Sequence, residues 1–270
     1  MKHEKVYLKI IVVLLGMVLL GCEIPSDDKM LSGDGSSLES AINVEINSWS
    51  NGNIPDEGEQ WFKFISTNAI QYIHIAFDVA TRVKVQLYDN NKNTLGNEET
   101  LMKEGGALFG TYISREVSIG QVYYIRVRTS GFALIGGYGE YRLGITNLPA
   151  KPKTTFHKLT SNIWDLKYIN DDGNNYVQWF TFTADTNYLQ YIHFKIWSMS
   201  LTNIYVSLYD SNGYLLGKEE HLQYDNSFRA SWSLFSGNTY YLRVPYYDTY
   251  GWFQIAFNSS EIPPDVDISF

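Results

Sequence analysis

The chain has 270 residues, 44% of them hydrophobic and 19% charged, a globular balance that excludes a disordered or fibrous protein. Its net charge of -8 and sequence pI near 5.1 exclude a protein that binds nucleic acid by neutralising phosphates. A single Cys excludes a disulfide framework and a cysteine-ligated zinc site, while 21 Tyr, 14 Phe and 7 Trp favour β-structure and contact surfaces over helical bundles.

At the amino end, Lys2, Lys5 and Lys9 lead into an apolar run from Ile10 to Leu20, interrupted by Gly16. The run is too short to span a bilayer as a helix, so residues 1–21 read as a signal peptide. It ends in Leu19-Leu20-Gly21-Cys22, which resembles the lipobox of bacterial lipoproteins. That resemblance implies cleavage before Cys22, diacylation of its thiol (palmitate-type chains) and acylation of the new amino terminus, hence attachment to a lipid bilayer through Cys22. The alternative is an ordinary signal peptide with a chance Cys. Cleavage would remove three of the 21 basic and one of the 29 acidic residues, leaving 18 against 28, or -10. Such a body is repelled by anionic headgroups. Residues 22–41, with Pro25, Asp27, Asp28, Gly33, Gly35, Ser36 and Ser37, read as a flexible tether that holds it off the surface. The expected location is a bacterial membrane, the outer one, facing the cell surface or the periplasm.

Beyond the tether one unit is written twice. Gln60-Trp61-Phe62-Lys63-Phe64 returns as Gln178-Trp179-Phe180-Thr181-Phe182, and Gln71-Tyr72-Ile73-His74-Ile75 as Gln190-Tyr191-Ile192-His193-Phe194. Val85-Gln86-Leu87-Tyr88-Asp89 matches Val206-Ser207-Leu208-Tyr209-Asp210, and Tyr123-Tyr124-Ile125-Arg126-Val127 matches Tyr240-Tyr241-Leu242-Arg243-Val244. The repeats occupy 42–149 and 150–260, joined at Leu148-Pro149-Ala150-Lys151-Pro152-Lys153. Residues 261–270 form a tail outside the repeat, with no functional reading. Within each block the period is two: Ile73, Ile75 and Phe77 alternate with Tyr72, His74 and Ala76, and Phe253, Ile255 and Phe257 with Trp252, Gln254 and Ala256. This is the pattern of antiparallel strands with one buried and one wet face, and it places His74 and His193 on the wet face. No helical spacing follows the leader. The fold class is all-β: two tandem antiparallel β-sandwiches, jelly-roll-like.

The order of these blocks resembles the bacterial pre-peptidase C-terminal domain, and the Gln-Trp-Phe and Gln-Tyr-Ile-His wording resembles repeats in spirochaete lipoproteins. The resemblance covers about residues 45–147 and 159–258. It implies a compact β-sandwich of the kind attached to secreted proteases and other exported proteins. Relatives from collagenases bind collagen and take calcium at an acidic linker, and no matching acidic cluster is present here.

Catalytic chemistry finds little support, and no catalytic residue, cofactor or metal is expected. There is no HExxH pairing, no G-x-S-x-G turn, and Gly136-Gly137-Tyr138-Gly139 precedes a strand where a phosphate loop would precede a helix. The adjacent carboxylates Glu98-Glu99 and Glu219-Glu220 point to opposite sides of a strand, so neither pair can face across a scissile bond. Asp89, Asn91 and Asn93 imitate a calcium loop, but Thr94 and Thr100 stand where Gly and a bidentate Glu are required, and the second copy reads as a shorter turn, Asp210–Gly213.

The aromatic surplus is the functional lead. Outward positions of the second repeat include Tyr191, Trp197, Tyr205, Tyr209, Tyr241 and Trp252, against Tyr72, Tyr88 and Tyr124 in the first, where Glu140 stands in for Trp252. Tyr246, Tyr247, Tyr250 and Trp252 are the candidate ligand contacts, since flat rings stack on sugars or cover a protein hot spot. Packing between the two sandwiches is the competing use of these rings. The expected role is a non-catalytic binding or adhesion module that meets an extracellular glycan or matrix protein. The alternative is an accessory or scaffolding subunit of an exported protease or other secreted enzyme.

Overall fold

A computed structural model describes residues 33–56, 58–103, 112–129, 138–169, 177–196, 203–223, 228–245 and 251–265. Among the described residues the alternation in the sequence becomes eighteen strands. In the first repeat these are β1 (Ile42–Asn43), β2 (Ser48–Ile54), β3 (Glu59–Ile65), β4 (Ile70–Phe77), β5 (Arg82–Tyr88), β6 (Thr94–Met102), β7 (Tyr112–Glu116), β8 (Val122–Thr129) and β9 (Gly139–Thr146). The second repeat supplies β10 (His157–Lys158), β11 (Asp165–Ile169), β12 (Val177–Thr183), β13 (Tyr188–Ile196), β14 (Asn203–Tyr209), β15 (Glu220–Gln223), β16 (Phe228–Leu234), β17 (Thr239–Pro245) and β18 (Gly251–Asn258).

Each repeat folds into a five-stranded sheet laid on a four-stranded one, and the strand orders correspond one for one. The first sandwich has β1-β3-β8-β5-β6 over β2-β9-β4-β7, and the second has β10-β12-β17-β14-β15 over β11-β18-β13-β16. The long strands pair antiparallel, and the two-residue strands β1 and β10 run parallel to β3 and β12 at matching registers, Ile42 opposite Phe62 and His157 opposite Phe180. Among the described residues no helix is long and apolar enough to cross a membrane.

The period-two residues fill two separate cores. One gathers Phe62, Phe64, Ile73, Val85, Leu87, Ile125, Tyr141 and Leu143, and the other Phe180, Phe182, Ile192, Phe194, Val206, Leu208, Phe253 and Ile255. Burying one such side chain stabilises the fold by about 1.5–3 kcal/mol. The turn after β5 has the same length as the turn after β14, which corrects the expected shortening. Asp89 N–H donates to Asn93 O and Asp210 N–H to Tyr214 O, and each Asp Oδ1 takes the backbone N–H two and four residues on. The left-handed position of the turn is Lys92 (φ 67°) in one copy and Gly213 (φ 83°) in the other.

A third, smaller apolar cluster joins the repeats: Leu148 and Ala150 of the connector pack with Trp179 and Tyr209, and with the half-buried Phe156, Val177 and Tyr241. Both sandwiches belong to one compact unit. The Gly213 turn of the second sandwich seats on the first, where the Tyr72 hydroxyl donates to Gly213 O (2.8 Å) and Asn68 Nδ2 donates to Ser211 O (3.0 Å).

Candidate functional site

The outer face of each four-stranded sheet is one place where the two repeats diverge. Near the carboxyl end of β2 in the first repeat, Asn53 pairs with Glu140 and Asn51 with Arg142, four exposed polar residues. Arg142 is held by Asp78 (3.2 Å) and lies over the Trp49 ring. The same register in the second repeat pairs Tyr168 with Trp252 and Leu166 with Gln254. Four polar residues have become three large apolar ones and a glutamine. Leu166, Tyr168 and Trp252 remain 46%, 44% and 49% exposed, with the two rings 4.8 Å apart and tilted by 48°. Gln254, between Leu166 and Lys195 across the sheet, is buried, and its side-chain carbonyl has no hydrogen-bond partner among the described residues. The strand backbone fixes the pair, since Gln178 Nε2 also holds Tyr168 O at 3.0 Å.

The edge strand β11 explains why Tyr168 escapes a reading by alternation. Its apolar residues Leu166 and Tyr168 face outward, whereas Asp165 and Lys167, paired with each other at 2.8 Å, share the side of Ile255 and Phe253. Inward-pointing charge on an edge strand blunts edge-to-edge pairing. The residue pattern is therefore the reverse of an ordinary half-buried strand.

Of the expected ligand contacts, Trp252 lies in this patch, while Tyr246, Tyr247 and Tyr250 fall outside the described residues, as do Trp197 and Cys22. The competing use of the rings as inter-repeat packing accounts for several others. Tyr72, Tyr209 and Tyr241 sit in or against the junction between the repeats, where burial pushes the Tyr209 phenol up to about 12. Tyr205 stacks on His221 at 4.5 Å.

The histidines correct the expectation of a wet face. His74 is 2% exposed and His193 3%, because chain that follows the last strand of each sandwich lies over this part of the sheet. His74 Nε2 donates to Thr146 Oγ1 (2.7 Å), whose hydroxyl donates in turn to Leu148 O (2.5 Å), with the Trp49 ring set edgewise at 6.4 Å. His193 Nε2 lies 2.9 Å from Asn258 Oδ1 and 3.2 Å from Ser260 O, beside Trp164, whose Nε1 donates to Pro264 O. Burial, with Lys151 nearby, drives the His74 pKa down to about 3, so the ring is neutral and structural.

The paired carboxylates also resolve into separate contacts. Glu99 binds Arg115 (2.6 Å), Glu219 accepts from Ser207 Oγ (2.9 Å) and lies 3.3 Å from Arg243, and Glu98 binds Arg128 and Arg126. The Asp89 carboxylate is occupied by amide hydrogens of its own turn. Among the described residues no group of three or more His, Cys, Asp or Glu is placed to hold a metal.

No family model matches the chain, and no curated protein is similar to it in sequence. Solved structures are similar in fold at very low identity. One is the pre-peptidase C-terminal domain of a collagenase from Bacillus anthracis, at 15% identity and TM-score 0.32 over 40% of this chain and 99% of that one. Another is the CUB1-EGF-CUB2 fragment of human MASP-1/3, at 10% identity and TM-score 0.22 over 78% and 99%. A third is the tandem CBM51 modules of a family 98 glycoside hydrolase from Streptococcus pneumoniae, at 10% identity and TM-score 0.23 over 78% and 83%.

Proposed function

We propose that the protein is a lipid-anchored, extracytoplasmic binding module whose second sandwich contacts a glycan through the Tyr168–Trp252 platform. The observation that supports this reading is the replacement of Asn51, Asn53 and Glu140 by Leu166, Tyr168 and Trp252 at one register of a repeated fold. Exposing two rings and a Leu side by side gains nothing for the core, whereas a pyranose face stacks on such rings through its C–H groups. The basic start, apolar run and Cys22 at the amino end support acylation and membrane attachment. Repulsion of the acidic body and residues 22–41 as spacer support display away from the bilayer.

The test is a glycan and matrix-protein binding screen of the full-length chain in detergent, parent against Tyr168→Ala/Trp252→Ala. Both side chains are half-exposed, so the variant should keep its unfolding midpoint while its glycan binding falls at least about tenfold, as expected for loss of a hot-spot pair. A folded double variant that binds like the parent would remove the platform from the mechanism. Protease shaving of intact against permeabilised cells separates surface display from a periplasmic location.

A further inference from the structure

The outer face of the five-stranded sheet in the first sandwich carries a second feature that the glycan platform does not use. Three rows cross β3, β8 and β5 there: Glu59–Arg128–Lys84, Trp61–Arg126–Gln86 and Lys63–Tyr124–Tyr88. Arg82 lies one step beyond Lys84 on the same side. Among the described residues, five cations thus face two carboxylates, Glu59 and Glu98, an excess of three positive charges on a chain whose net charge is -8.

The second sandwich has Val177, Pro245, Tyr205 and Thr181 where the first has Glu59, Arg128, Lys84 and Lys63, and of these cations keeps Arg126 alone, as Arg243. The concentration of charge is therefore a property of the first copy and not of the fold. Glu98 gathers the group: Arg128 Nε and Nη2 donate to it at 2.7 and 2.5 Å, Arg126 Nη2 at 3.2 Å, and Lys84 stands 3.9 Å away. The Arg126 guanidinium lies over Trp61 and Tyr88, its central carbon 5.8 and 5.6 Å from their ring centres. Its Nε and that of Arg82 are buried donors with no hydrogen-bond partner among the described residues. Half-buried guanidiniums that are already immobilised lose little entropy on taking an anion, and their planar forks match carboxylate and sulfate groups.

We infer that this face is a second binding site, for an acidic polysaccharide bearing sulfate or uronate groups. The cations take the acidic groups, and the rings of Tyr88 and Tyr124, paired across β5 and β8, lie beside them as a surface for the sugar.

The probe is heparin, immobilised, with the full-length chain in non-ionic detergent. The parent should be retained at about 0.05 M NaCl and released below about 0.5 M, as screening shortens the reach of the charges. Arg82→Ala/Lys84→Ala should bind roughly tenfold more weakly. Glu98→Gln should bind several-fold more tightly, because it frees three cations, whereas general damage to the fold could only weaken binding. Tyr168→Ala/Trp252→Ala should bind heparin like the parent, which keeps this site separate from the glycan platform. The inference is overturned if the parent is not retained at low salt, if Arg82→Ala/Lys84→Ala binds like the parent, or if Glu98→Gln gives no gain. Release by inorganic polyphosphate as effective as by free heparin at matched charge would overturn the polysaccharide assignment.

Discussion

Acidification should loosen the first sandwich through His74. The ring is buried against Trp49 and Tyr112, and its Nε2 joins the chain that runs through Thr146 to Leu148. Unfolding raises its pKa from about 3 to the ordinary value near 6.5, so the unfolded chain binds the extra proton first. Because the folded value is the depressed one, the stability His74 protects is fully present above about pH 6.5 and is lost as pH falls toward 3. Between pH 7.5 and 5 the loss amounts to about 2 kcal/mol, with a slope that approaches 1.4 kcal/mol per pH unit. Denaturant unfolding followed by tryptophan fluorescence across that window measures it. His157, whose pKa burial also lowers, contributes equally to parent and variant, and Arg128 holds Glu98 ionised in the window. His74→Gln should therefore remove most of the pH dependence. A parent that is equally stable at pH 7.5 and 5, or a variant with the parent's slope, would refute the assignment.

Two further substitutions probe the repeat architecture. Gly213 has φ of 83°, and a Cβ there would overlap the Asn147 carbonyl oxygen, so Gly213→Ala combines about 1–2 kcal/mol of backbone strain with displacement of the turn from Tyr72. The expected result is separate unfolding of the two sandwiches, read by calorimetry, and a single unshifted transition would contradict it. In β2 a Cβ on Gly52 would enter the buried ring of Tyr141, whose hydroxyl donates to Gln60, so Gly52→Ala should cost about 1–3 kcal/mol of overpacking. Tyr141→Leu in the same chain should recover part of that loss, and failure to do so would place the strain elsewhere.

Much of the architecture is legible in the sequence because burial on the inner faces imposes the period of two on Phe62, Phe64, Ile73 and Ile75 and on their counterparts Phe180, Phe182, Ile192 and Phe194. What alternation cannot register is a second layer on the outer face. Tyr72 and His74 occupy positions that a lone sandwich would leave wet, and they are buried by the connector and by a turn 141 residues away. The candidate site is half legible for a related reason. Trp252 stands in a strong repeat block opposite Glu140, whereas Tyr168 lies in a strand whose charges point inward and whose sequence does not resemble its partner Ser48–Ile54.

The chain that trails each last strand, 147–153 after β9 and 259–265 after β18, lies over the histidine of the sandwich it has just left. Pro152 abuts Gly144 beside Trp49 and Asn47 Oδ1 holds Lys153 N–H, while Pro264 O meets Trp164 and Asn258 Nδ2 holds Ile262 O. A sandwich of this kind is finished by its exit segment and not by its ninth strand. Synthesis from the amino end then leaves the first sandwich with an open roof until residue 153 has emerged, and with an unanswered Tyr72 hydroxyl until residue 213 has. Excising either repeat at the end of its last strand would yield a protein with a bared, hydrated histidine, and the stable cut lies about seven residues later.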